Sequence, residues 1–140
     1  MTARHGLALI ALFVLLAGCG GGPKPVPVSG LVTLDNKPLA NATLQFVPVS
    51  GSSESAYQVS SVGTTGEDGR YTLVLNSDAN SKGAVSGKYK VIITVGAPTG
   101  TETKHTFHKQ LPDRYNRKTE LECDVPPGGR DDANFSLSSK

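Results

Sequence analysis

The sequence has no tryptophan, three histidines and two cysteines among 140 residues. So few cysteines exclude a disulfide-stapled miniature scaffold, which needs several bridges to replace a core. Aromatic residues make up 6% and charged residues 19%. Basic and acidic residues nearly cancel, 14 against 12, for a net charge of +2. A nucleic-acid binder would show a strong basic excess, so that class is excluded. Long apolar runs are also scarce. The longest covers residues 7–17, and as a helix it reaches roughly 16 Å, about half a bilayer core. It is too short to span a membrane and has the length of a signal-peptide core.

The flanks of that run are specific. Arg4 and His5 form a short polar start, and the run ends in Leu16-Ala17-Gly18-Cys19. This tetrapeptide resembles the lipobox of bacterial lipoprotein precursors, whose signal peptidase cuts just before the cysteine. The resemblance implies a signal peptide over residues 1–18 and a diacylglycerol thioether on Cys19, with acylation of the freed amine. One acyl chain holds a protein marginally and two or more hold it stably, so a triacylated Cys19 would fix the chain to a membrane. The next residue is Gly20 and not Asp, which by the same resemblance leans toward the outer membrane; a lipid-anchored place on the cell membrane or outer membrane is expected. With Arg4 gone, 13 basic residues face 12 acidic ones. With Cys19 acylated, Cys123 has no partner for a disulfide. It lies in the alternating Leu121-Glu122-Cys123-Asp124-Val125, where a small buried hydrophobe fits.

Residues 19–25 comprise this cysteine and a tether, Gly20-Gly21-Gly22-Pro23-Lys24-Pro25. Glycine makes it flexible and proline stiffens its far end. Its six residues extend to roughly 20 Å.

From residue 26 to 140 the dominant period is two, the signature of strands with one apolar face. The alternating sets are Val26, Val28, Val32 and Leu34; Ala42, Leu44 and Phe46; a weaker one over residues 57–64; Tyr71, Leu73 and Leu75; Tyr89, Val91, Ile93 and Val95; Leu121, Cys123 and Val125; and Phe135 with Leu137. No stretch here shows a 3.6-residue stripe. Seven short strands in about 115 residues predict one seven-stranded antiparallel β-sandwich, all-β and Greek-key in type. The Cys–Trp–Cys pin of immunoglobulin domains is missing. Turns are expected at Asp35-Asn36-Lys37-Pro38, at Gly66-Glu67-Asp68-Gly69 as a tight hairpin loop with Gly69 at positive φ, and at Pro126-Pro127-Gly128-Gly129. Two longer polar loops are expected over residues 76–87 and 96–118.

The ordered landmarks Val28-Ser29-Gly30-Leu31-Val32, Lys37-Pro38-Leu39-Ala40-Asn41-Ala42, Phe46-Val47-Pro48, Thr65-Gly66-Glu67-Asp68-Gly69-Arg70-Tyr71-Thr72-Leu73 and Gly87-Lys88-Tyr89-Lys90-Val91 resemble the carboxypeptidase regulatory-like domain. That family is a transthyretin-like, prealbumin-type sandwich. Leu111-Pro112-Asp113-Arg114-Tyr115 resembles a segment of small bacterial lipoproteins of this type. Asn36 stands where the family often has glycine, and Asn also tolerates positive φ. The resemblance implies a fold more than an activity. Transthyretin-like enzymes that hydrolyse a purine breakdown product end in Tyr-Arg-Gly-Ser and carry early histidines. This chain ends Phe135-Ser136-Leu137-Ser138-Ser139-Lys140 and has no early histidine after residue 18, so that activity is not expected.

No catalytic motif is found. His105 and His108, with Glu102 and Asp113, are the residue types a metal would want. Residues three apart on a strand face opposite ways, and a catalytic zinc needs about three ligands, so a solvated basic loop is expected. Glu67-Asp68-Gly69 lacks the rest of a calcium loop. Accordingly no enzyme, metal or cofactor is expected. The candidate contact surface is the basic stretch Lys104, His105, His108, Lys109, Arg114, Arg117 and Lys118. It carries a local net charge of +3 against Glu102 and Asp113, suited to anionic lipid or acidic polysaccharide. Tyr57, Tyr71, Tyr89 and Tyr115 could stack on sugars, although rings turned inward with hydroxyls at the rim are the expectation. The function expected is a membrane-anchored envelope lipoprotein carrying a non-catalytic structural or interaction module, its partners the membrane through Cys19 and another envelope protein or polysaccharide. The alternative is a surface module for carbohydrate or small ligands.

Overall fold

Alternation with β-branched and aromatic residues inward makes strands, and polar turn residues end them. In the computed structural model, which describes residues 24–50, 59–96 and 111–140, these segments form an all-β, sandwich-like pair of sheets. The first sheet contains β1 (Ser29–Leu34), β2 (Lys37–Pro38), β5 (Arg70–Thr72) and β10 (Phe135–Leu137). The second runs in the order β7 (Asp78–Lys82), β6 (Val74–Leu75), β4 (Ser61–Thr64), β3 (Ala42–Pro48), β8 (Gly87–Val95), β9 (Glu122–Val125).

The core is what the period-two pattern selects. Val32, Ala42, Leu44, Phe46, Leu73, Val91 and Ile93 are fully buried. Without tryptophan, Phe46 takes the centre. Its ring centroid lies 5.8 Å from Tyr89 on its own sheet, and 6.5 Å from Tyr71 and 6.2 Å from Phe135 on the opposite one. Such tilted and edge-on contacts add to simple burial.

Four features depart from the sequence expectation. First, ten strands are present among the described residues, because two short polar strands join the seven alternating segments and the segment over residues 70–75 is divided. Second, the sheets are not wholly antiparallel: β10 runs parallel to β1, with Val32 opposite Phe135 and Leu34 opposite Leu137. Third, the segment read as one strand over Tyr71, Leu73 and Leu75 changes sheets. β5 pairs with β1 and β6 pairs with β4, with buried Leu73 at the crossing. The turn Gly66-Glu67-Asp68-Gly69 therefore links two sheets and does not close a hairpin. Gly69 takes φ +75 there, and a Cβ would lie 2.6 Å from the Val32 carbonyl oxygen. Fourth, the polar loop expected over residues 76–87 contains β7, whose side chains are exposed apart from a half-buried Ser81. A short, mostly polar edge strand with Asp78 and Lys82 at its ends resists pairing with other chains.

The β1–β2 turn is as expected, with Asp35 and Asn36 both at positive φ, 49° and 63°. The residues before β1 are tied in: Val26 N–H donates to Ala84 O at 2.8 Å and Ala84 N–H returns to Val26 O at 3.0 Å. Arg130 N–H donates to Pro27 O at 2.8 Å. Gly30 is a point of close approach, since a Cβ there would lie 2.0 Å from the Ala133 carbonyl oxygen. That carbonyl accepts the Tyr71 hydroxyl at 2.6 Å.

Strand direction gives the molecule two distinct ends. β8 runs between them over roughly 27 Å of extended chain. Gly87, at its start, faces Val125, close to the Ala84 that holds Val26. Val95, at its finish, faces Ala42, and Gly96 N–H reaches Asn41 O. Val26, residues 83–87 and residues 125–130 thus share one end. Asp35, Asn36, Asn41, residues 65–69, Gly96 and residues 138–140 share the other.

Candidate functional site

The basic stretch is only partly visible. Lys104, His105, His108 and Lys109 lie outside the described residues, as do Cys19 and Tyr57. Arg114, Arg117 and Lys118 are described and exposed. Arg114 differs from the expectation of a free contact residue. It occupies the second position of the 3-10 turn Asp113–Tyr115, donates to the Ser138 and Lys140 carbonyls, and lies 4.9 Å from the Tyr115 ring centroid. The reason is lateral closure of the sandwich. Tyr115 is buried and its hydroxyl accepts Ser138 N–H at 3.0 Å. Glu120 N–H reaches Arg114 O at 3.3 Å. Residues 111–118 thereby bridge the β9 side of one sheet and the β10 side of the other, with Leu111 buried beneath. Arg117 and Lys118 remain outward. Gly96 and the 3-10 turn, which flank residues 97–110, both belong to the end opposite Val26.

The tyrosines do not form a stacking platform among the described residues. Tyr71, Tyr89 and Tyr115 are buried, and their hydroxyls bond to Ala133 O, Val85 O and Ser138 N–H. Burial pushes the Tyr71 and Tyr89 phenols upward. Cys123 is buried too, and desolvation raises its thiol despite nearby Arg130. A raised thiol is a poor nucleophile, which agrees with a packing role. Glu67-Asp68-Gly69 is a turn in which Asp68 Oδ1 accepts Arg70 N–H at 3.0 Å.

A second feature, which sequence reasoning missed, occupies the Val26 end. A cleft of about 590 Å³ is lined by Gly87, Lys88, Asp124, Pro126 and the run Arg130, Asp131, Asp132. Lys88 Nζ stands 4.0 Å from Asp124, and Arg130 Nε bonds Asp132 Oδ1 at 2.9 Å. Arg130 Nη1 also donates to Asp124 O at 3.1 Å. That carbonyl points away from β8, because the Val91–Leu121 bond fixes which β9 groups face the neighbour. Arg130 therefore caps the open edge of β9. The only local hint in sequence is Arg-Asp-Asp after a Pro-Pro-Gly-Gly turn; the convergence of residues 88, 124 and 130–132 depends on strand pairing.

Among the described residues, no three His, Cys, Asp or Glu side chains converge as metal ligands. Among them too, no helix is long and apolar enough to cross a membrane. No protein-family model, curated protein or solved structure matches the chain.

Proposed function

We propose that this chain is a lipid-anchored protein of the bacterial envelope whose β-sandwich is a non-catalytic interaction module. Cys19 holds it to the membrane, residues 20–25 space it, and the end farthest from Val26 meets another envelope component. The single observation that carries this reading is polarity: the residues next to the tether and those that flank the basic stretch lie at opposite ends. A leash at one end and a charged surface at the other suit a module displayed away from a bilayer. The basic stretch is therefore assigned to a partner protein or acidic polysaccharide, and not to lipid. We further read the seven alternating segments, β1, β3, β4, β5 with β6, β8, β9 and β10, as a transthyretin-like Greek-key sandwich of the carboxypeptidase regulatory-like type. β2 and β7 are then short polar additions. Carbohydrate binding through stacked tyrosines loses support from the three buried rings.

The test is Cys19→Ala with membrane fractionation and fatty-acid labelling. The wild type should partition with membranes and take up label, and the variant should lose the label and retain its signal segment. Labelling of the variant at wild-type level refutes the anchor. For the display end, a photo-crosslinker at Arg117 should capture an envelope partner that the same group at Lys82 does not; equal capture at both refutes the polarity.

A further inference from the structure

The cleft at the Val26 end has a chemistry of its own. Two cations, Lys88 and Arg130, alternate with three carboxylates, Asp124, Asp131 and Asp132. The pairs are loose or exposed. The Lys88 and Asp124 side chains are 64% and 66% exposed, and Asp132 is 71% exposed. Asp131 is exposed and has no ionic partner among the described residues. The local balance is one negative charge, which disfavours an anionic ligand. The carboxylates do not converge as a metal ion would require. What fits is a small ligand carrying both signs, with an anionic group toward the remaining guanidinium and ammonium donors and a hydrogen-bonding cation toward Asp131 and Asp132. The hollow is shallow and open to solvent, which suits a headgroup presented at a surface and not an enclosed ligand.

The place of the cleft says which zwitterion is at hand. Arg130 N–H is bonded to Pro27 O, two residues beyond the tether. If Cys19 is acylated, six residues reaching roughly 20 Å at most hold the cleft beside lipid headgroups. A tether this short supplies an effective concentration in the millimolar range, so a weak contact suffices.

We propose that this cleft binds the headgroup of a phosphoethanolamine lipid and so seats the tether end of the sandwich on the bilayer. The proposal rests on the anchor reading. A primary ammonium donates three hydrogen bonds to carboxylates, whereas a quaternary choline donates none. Phosphoethanolamine should therefore be preferred to phosphocholine, and the negative balance should select against purely anionic headgroups.

The experiment uses the full lipidated chain reconstituted in vesicles that contain a headgroup-attached quencher. A fluorophore is placed at Gly128→Cys on the tether end, where a Cβ would meet nothing within 4 Å, or at exposed Glu67→Cys on the other end. In mixed phosphoethanolamine and phosphocholine vesicles, Gly128→Cys should be quenched far more than Glu67→Cys. In phosphocholine alone the difference should largely vanish. Adding Asp131→Asn or Lys88→Ala, both at solvent-facing positions, should lower the docked-to-undocked ratio roughly fivefold, the size of one exposed charge contact. Equal quenching at the two ends, equal quenching in the two lipid mixtures, or indifference to both substitutions overturns the headgroup site while the protein still sediments with vesicles. Failure to sediment overturns the anchor reading, and the proposal with it.

Discussion

Gly30→Ala concentrates much of the fold into one substitution. Gly30 sits in β1 opposite Tyr71, and a Cβ there would lie 2.0 Å from the Ala133 oxygen and 2.5 Å from the Ala133 carbonyl carbon. Backbone cannot yield as a flexible side chain does, so residues 130–134 must move off β1. The bonds at risk are Tyr71 Oη to Ala133 O at 2.6 Å, Ala133 N–H to Ser29 O at 3.1 Å and Leu31 N–H to Asn134 Oδ1 at 2.8 Å. A buried tyrosine hydroxyl that loses its acceptor costs about 1–3 kcal/mol, and each of the two N–H bonds, one to a backbone carbonyl and one to the Asn134 side chain, about 1 kcal/mol. The sum is on the order of 3–5 kcal/mol, a large part of the roughly 5–15 kcal/mol that holds a domain together. At about 4 °C per kcal/mol for a domain of this size, Tm should fall by roughly 12–20 °C. The assay is thermal unfolding monitored by far-UV circular dichroism, with Gly128→Ala as the control. Its new methyl meets nothing within 4 Å and should stay within about 0.5 kcal/mol of wild type. A Gly30→Ala shift below about 2 °C, or one no larger than that of Gly128→Ala, refutes the close approach of residues 130–134 to β1.

Ser61 is fully buried with no hydrogen-bond partner for its hydroxyl. An unsatisfied hydroxyl costs about 1–3 kcal/mol, so Ser61→Ala should leave denaturant stability unchanged or raise it by about 1 kcal/mol; a clear loss would mean that the hydroxyl is satisfied. Burial raises the Tyr71 and Tyr89 phenols and the Cys123 thiol in the folded state. Groups raised on folding hold more protons folded than unfolded, so stability is full below the unfolded values and falls as pH rises past them. Urea midpoints should therefore decline from about pH 8.5 as the unfolded thiol ionises, and more steeply above about pH 10 as the phenols do. Tyr71→Phe should be less stable at neutral pH but lose less on going alkaline; an unchanged alkaline slope would remove Tyr71 as its source.

The sequence reads well where burial follows the backbone period and poorly where it does not. Leu44, Phe46, Val91 and Ile93 announce themselves because inward positions of β3 and β8 are all apolar. β4 is faint because its buried positions are Ser61 and Gly63, which carry no hydrophobic signal. β7 is silent because no face of it is covered. The parallel pairing of β1 with β10 joins residues about a hundred positions apart, and local alternation holds no record of it. The change of sheet at Leu73 is hidden for a similar reason, since Tyr71, Leu73 and Leu75 keep one unbroken alternation across both sheets. Of the basic stretch, charge alone could not reveal that Arg114 would turn to the Ser138 and Lys140 carbonyls. The Arg130 cleft leaves only the Arg-Asp-Asp run as a hint, because the start of β8 and the stretch from Asp124 to Asp132 meet only through strand pairing.

The anchor itself admits one direct measurement, the intact mass of the mature chain recovered from membranes. The expected species is a polypeptide beginning at Cys19 and heavier than its sequence by a diacylglycerol and an amide-linked acyl chain. A chain of unmodified mass, or one beginning at any other residue, would contradict it.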